Sequence, residues 1–242
     1  MVDIIFVIGP VWKNLDTLLE TIKINKSMIN NIKKIYIPTN NKDVEKYFLE
    51  NPIDNIICKY YFENKNHQLS CYNSLISGMK MILEYENNNE NDIVIFSPED
   101  CYIKNIDLFN KNINILKNNT YDIVCREFDA PLSRNHFDKY YMFDTFFIKK
   151  KSVKKIFGLT NLFDNFYDFG IKPLNYENYH AKDKKFCEAH FTRIIKNFNI
   201  YSILYSAVTE ERVICTEFGN FEAHGTWKNT ELGFYHIPGR IH

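Results

Sequence analysis

The sequence predicts an α/β fold built on a mostly parallel central sheet, and three observations predict it. Short, almost wholly apolar runs recur at 4–8, 35–37, 56–61 and 93–96. Segments of helical period separate them. Turn signals close several of them: Gly9-Pro10, Pro38-Thr39-Asn40-Asn41 and Ser97-Pro98. Strands apolar on both faces need helices on both faces, which βαβ units provide. At 242 residues the chain has room for one substantial domain of this type. With no repeat, linker or low-complexity stretch, it reads as a single domain over 1–242, the second half (104–242) more mixed than the first (1–103).

Taken in order, the run at 4–8 is the first strand. Leu15, Leu18, Leu19 and Ile22 then share one helical face, with Asn14 where an N-cap belongs. A second strand over 35–37 is expected to stop at Pro38, and a short helix to cover 44–49. After a third strand over 56–61 and the polar turn Glu63-Asn64-Lys65-Asn66-His67-Gln68, a long helix runs to about residue 85. Leu69, Tyr72, Ile76, Met79 and Leu83 form its apolar stripe, and Gly78 lets it approach the sheet. Asn66, Gln68 and Asn73 at its start suit either an anionic or sugar ligand or plain capping.

The stretch D-I-V-I-F-S-P-E-D-C-Y-I at 92–103 is the centre of the functional reading. A buried strand ends in Ser97-Pro98 and delivers two carboxylates, Glu99 and Asp100. In an open α/β sheet, ligands bind beyond the carboxyl ends of the strands. Two acids there suit a divalent cation and a phosphate, or else they cap a polar loop. Beyond them the sequence predicts a helix over 106–116 and a strand over 121–125. It then predicts an irregular loop over 126–140, in which Arg126 and Arg134 could hold phosphate. A strand over 141–148 and a short helix over 153–157 follow. After an aperiodic stretch come a helix over 184–198 and a final strand over 200–205. The last thirty residues show too little periodicity for a core element.

Composition excludes several classes. Thirty basic and thirty acidic residues give zero formal net charge, against a general nucleic-acid binder. The first strand is followed by G-P-V-W-K-N rather than G-x-G-x-x-G, which argues against NAD or FAD bound in the usual manner. Six cysteines without C-x-x-C spacing read as buried free thiols of a reducing compartment. With no signal-peptide pattern and no apolar span of membrane length, a cytoplasmic protein is expected.

The layout of strand-G-P, βα units, N-x-x-Q opening a helix with N-S-x-x-x-G, and a strand ending in F-S-P-E-D-C-Y-I resembles the GT-A glycosyltransferases. It is most similar to small bacterial and viral sugar transferases related to family 2. The resemblance implies a Rossmann-like GT-A domain, with 1–103 binding a nucleotide sugar and 104–242 binding the acceptor. It implies a UDP- or GDP-linked donor and a hydroxyl acceptor on a glycan, glycoprotein or glycolipid. Gly9, Pro10, Val11, Thr39, Asn40, Glu63, Asn66 and Gln68 would line the nucleotide. Glu99 and Asp100 stand at the D-x-D position. Asp100, with His236 of G-F-Y-H-I-P-G, would hold Mn²⁺ or Mg²⁺ on the diphosphate. Cys101 departs from the motif, standing where many relatives carry a second acid. Glu188, and after it Asp183, would be the general base on the acceptor; Glu188 also reads as an acid favouring a helix N-terminus. Two other readings stay open: a sugar nucleotidyltransferase, and a non-catalytic binding or structural module on the same fold.

Overall fold

The computed structural model describes residues 3–9, 15–61, 67–85, 90–118, 121–129, 139–141, 145–157, 191, 192, 195, 202–206 and 232–236. The first half alternates strand and helix: β1 (Ile4–Ile8), α1 (Leu15–Met28), β2 (Ile32–Thr39), α2 (Lys42–Glu50), β3 (Ile56–Tyr60), α3 (His67–Tyr85) and β4 (Ile93–Ser97). The second half carries β5 (Cys101–Ile103), α4 (Ile106–Asn118), β6 (Ile123–Asp129), β7 (Lys139–Tyr141), β8 (Phe146–Lys149), α5 (Lys150–Phe157), β9 (Ser202–Ser206) and β10 (Phe234–His236).

Eight strands form one sheet in the order β3-β2-β1-β4-β8-β6-β7, with β9 also on β6. β1 is parallel to β2 and β4, and β2 to β3. β8 runs antiparallel to both β4 and β6, so β6 returns to the direction of β4. The expected mostly parallel sheet with a mixed second half is therefore what forms, and strands from both halves share it.

Period-2 alternation divides the core. Ile5, Val7, Val94, Phe96, Phe146 and Ile148 face α3 and α5. Ile4, Phe6, Ile8, Ile95, Val124 and Phe147 face α1, α2 and α4. Each such buried side chain contributes about 2 kcal/mol of hydrophobic stabilisation before the entropy of ordering is counted. Gly78 permits the close approach of α3 to β1, because a Cβ there would meet Val7 Cγ1 at 2.2 Å.

Four expectations need correction. β2 does not stop at Pro38. The Thr39 carbonyl accepts from the Tyr61 N–H, so Pro38 turns its missing donor to the opposite side, past Tyr36, where pairing with β1 ends. Arg126 lies within β6 rather than in an irregular loop, since ladders with β8, β7 and β9 hold the strand despite the charge. The strand expected at 141–148 is met by two short strands, β7 and β8, each antiparallel to β6, with 142–144 outside the described residues. The last thirty residues do contribute to the core, for Leu232 and Phe234 are buried and β10 pairs with β5.

Candidate functional site

The chain moves from β1 outward through β2 to β3, then crosses to the other side of β1 to make β4. That reversal opens a crevice beyond the carboxyl ends of β1 and β4, the switch point where α/β sheets take ligands. Register puts Ile8 beside Ser97, and the Gly9 N–H donates to the Ser97 carbonyl at 3.1 Å. Gly9 and the turn Pro98-Glu99-Asp100 thus flank one opening, as the sequence leads one to expect. Gly9 has a steric reason to lack a side chain: a Cβ would meet Ser74 Oγ of α3 at 2.2 Å.

The polar groups at this opening are unusually deep. Glu99 is 1% exposed and Asp100 5%. Ser74 Oγ, Ser97 Oγ and Asn40 Oδ1 are buried without a hydrogen-bond partner among the described residues. A buried polar oxygen left unsatisfied costs on the order of 1–3 kcal/mol, so each of these three is held at the carboxyl side of the sheet at a cost to stability. The Thr39 hydroxyl is committed to the turn instead. It accepts from the Asn41 N–H at 3.0 Å and donates to the Asn41 carbonyl at 3.3 Å. Asn41 in turn caps α2 by accepting from the Asp43 N–H at 2.9 Å.

The acidic turn is fastened on three sides. The Cys101 N–H donates to the Pro98 carbonyl at 3.3 Å. The Ile103 N–H donates to Asn25 Oδ1 of α1 at 2.8 Å within the core. β10 lies antiparallel on β5 and sets His236 opposite Cys101, one residue from Asp100. Gly233 makes that docking possible. Its φ of +84° suits glycine, and its carbonyl accepts from Lys104 and Asn105 N–H at 3.0 and 3.1 Å. A Cβ there would meet the Asn105 carbonyl at 2.5 Å.

Cys101 does not stand in for a second acid. It is fully buried in the apolar cluster under α1 and α4, and the Thr145 hydroxyl donates to its sulfur at 3.9 Å. Strand alternation turns Cys101 and Ile103 inward. The carboxylates of this turn are therefore Glu99 and Asp100 alone. Among the described residues no three His, Cys, Asp or Glu side chains gather as a metal site.

The structure brings Gly9, Asn40, Glu99 and Asp100 to the same sheet edge, and the backbone of His236 beside the acidic turn. Gln68 falls in the first turn of α3, its side chain outside the described part. Pro10, Val11, Glu63, Asn66, Asp183 and Glu188 lie outside the described residues. Sequence reasoning missed Asn25, Ser74 and Ser97. Asn25 left a signal, for it continues the apolar face of Leu18 and Ile22 and is fully buried.

No protein-family model matches the chain, and no curated protein matches it in sequence. Among solved structures it is similar to a 4-diphosphocytidyl-2C-methyl-D-erythritol synthase, with 10% identity, TM-score 0.50, and 85% of this chain and 90% of that one covered. A synthase of the same name from Anaerococcus prevotii shows 14% identity, TM-score 0.44 and coverage of 84% and 87%. A glycosyltransferase involved in glycosylation of the major capsid of PBCV-1 shows 11% identity, TM-score 0.44 and coverage of 98% and 94%. At such identities the likeness is one of fold, and the first of these carries it: the chain has the GT-A-like, Rossmann-type α/β architecture. Among the described residues no helix is long and apolar enough to cross a membrane.

Proposed function

We propose that the chain is a nucleotide-sugar-dependent glycosyltransferase, moving a sugar from a UDP- or GDP-linked donor to a hydroxyl of a glycan, glycoprotein or glycolipid. One observation carries this reading: two consecutive, almost fully buried carboxylates, Glu99 and Asp100, stand at the switch-point end of β4 beside Gly9. Buried acids at a ligand crevice belong to a site that handles charge.

In this reading Gly9, Pro10, Val11, Asn40, Glu63, Asn66 and Gln68 surround the nucleotide, with Thr39 shaping the turn that carries Asn40. Ser74 and Ser97 offer hydroxyls to its ribose or phosphate. Asp100 and Glu99 face the diphosphate end. Deep carboxylate oxygens fit Mn²⁺ or Mg²⁺, with Asp100 and His236 as the residues that would hold it. Such a cation, when bound, stabilises the negative charge that builds on the departing diphosphate. Glu188, or Asp183 in its place, takes the proton from the acceptor hydroxyl.

A sugar nucleotidyltransferase is the second reading. What favours it is the fold shared with a synthase whose name gives its product as a diphosphocytidyl compound. Against it stands G-P-V-W-K-N after β1, which lacks a glycine-rich basic phosphate loop. Thermal-shift titration with UDP, GDP, CTP and their sugars, with and without Mn²⁺, separates the two. Stabilisation by UDP- or GDP-sugars supports transfer of a sugar. A response to CTP or other nucleoside triphosphates alone moves the assignment to nucleotidyl transfer. No shift with any nucleotide leaves the fold as a binding module without this chemistry.

A further inference from the structure

One face of the sheet changes character abruptly at the crevice. Ile95 of β4 pairs with Phe147 of β8, which pairs with Val124 of β6, and all three are buried apolar residues of the layer beneath α1 and α4. Two residues nearer the carboxyl edge on that face, by strand alternation and past the last pairs that join β8 to β4 and β6, stand Ser97, Thr145 and Arg126. Their exposures are 0%, 0% and 1%. A wholly apolar row thus gives way to a wholly polar one, and its third member is one of the largest fully buried side chains in the protein. Thr145 ties this row to the acidic turn through the Cys101 sulfur.

Burying a guanidinium is costly, and an apolar residue would continue the layer at no such cost. Arginine keeps its charge at any physiological pH, and away from water that charge acts over a longer range. Its place on β6 sets a permanent positive charge two strands from the end of β4 that carries Glu99 and Asp100, on the face that Ser97 shares.

We propose that Arg126 is a positioning residue that supplies fixed counter-charge to the acidic turn, so that the crevice holds the diphosphate end of a nucleotide without depending on a divalent cation. The proposal rests on the reading of the crevice as a nucleotide-diphosphate site. The cation then assists transfer rather than making binding possible. The loss of the second acid to the inward-turned Cys101 fits the same arrangement, for a turn with fewer acids needs less cation to balance it.

The test is calorimetric binding of UDP and GDP in EDTA, beside binding of Mn²⁺ alone followed by electron paramagnetic resonance. The proteins are the wild type, Arg126→Gln and Arg126→Lys, with uridine and guanosine as uncharged probes. Arg126→Gln is expected to weaken diphosphate binding in EDTA about tenfold and to tighten Mn²⁺ binding, with nucleoside affinity unchanged. Arg126→Lys should keep both affinities near wild type. A merely structural role would lower both affinities together, and that outcome overturns the proposal, as does a glutamine variant with unchanged diphosphate affinity. Should Arg126→Gln not fold, the wild type decides: diphosphate binding retained in EDTA supports the proposal, and binding abolished by EDTA overturns it while leaving the nucleotide reading intact. A wild type that binds neither nucleosides nor nucleotides, with or without Mn²⁺, overturns both.

Discussion

The two edges of the sheet treat buried polarity in opposite ways. At the amino edge, charges are neutralised within the fold. Asp92, fully buried, holds Lys33 Nζ at 3.1 Å and accepts from the Asp3 N–H at 3.4 Å. Asp122 accepts from the Ser152 hydroxyl at 3.0 Å and faces Lys151 at 3.7 Å. At the carboxyl edge, Ser74, Ser97 and Asn40 bury oxygens that no group among the described residues satisfies, and Glu99 and Asp100 are buried at the end of β4. At the amino edge these groups serve stability; under the proposed function those at the carboxyl edge serve a ligand. Removing an acid should therefore cost different things at the two edges.

The largest contrast is expected from Asp100→Ala. Donor-sugar transfer or hydrolysis should fall by roughly a hundredfold or more, because charge stabilisation at the reacting group is lost. The activity loss should exceed what any change in melting temperature explains, and circular dichroism should show the fold retained. An Asp100→Ala protein with full donor turnover removes Asp100 from the site. Asp92→Ala should behave in reverse, losing about 2–3 kcal/mol of stability in urea denaturation while nucleotide affinity stays unchanged. If Asp92→Ala also abolished nucleotide binding, the division between the edges would collapse.

Smaller effects sharpen the same line. Ser74→Ala deletes a hydroxyl that satisfies nothing in the fold, so stability should change by less than about 1 kcal/mol in either direction. Nucleotide affinity, measured by calorimetry, should drop several-fold. Equal affinity in both proteins would mean that Ser74 faces no ligand. A control away from both edges comes from Cys58 of β3, whose thiol pKa is pushed up to about 12 by burial and then by Glu45. A thiol reacts through its thiolate, so alkylation at pH 8 should be far slower in the native protein than in urea. Rapid native labelling of Cys58 would show that β3 opens readily.

Elements that carry their own periodicity were legible before any coordinates. β1, α1, α3 and β4 each bury residues set by a period of 2 or 3.6, and the switch point follows from their order. What stayed hidden depends on partners distant in sequence. β10 is three residues beside a glycine, and nothing local marks it as a strand; its pairing with β5 and the fit of Gly233 against Asn105 make it one. Arg126 read as loop because a charge normally ends an apolar run, whereas strands on both sides of β6 override that rule. Pro38 misled for a related reason: which way a strand's donors point depends on its neighbours. In the candidate site, the acidic turn and Gly9 were legible as a motif. Ser74 and Ser97 were not, because a serine at an element's end is ordinary until its burial is known.

The pairing of β10 with β5 also fixes an order of events during synthesis. β1 to β4 with their helices can pair as soon as the first hundred or so residues have left the ribosome, about the size of a small folding unit. The acidic turn and two of its ties, through Pro98 and Asn25, are in that early portion, yet the third waits for residues 232–236. Throughout that interval the nascent chain carries a formed sheet edge whose acidic turn lacks one of its three ties. The last tie on the acidic turn thus forms only when the second half of the chain has been made, which couples completion of that turn to completion of the whole sheet.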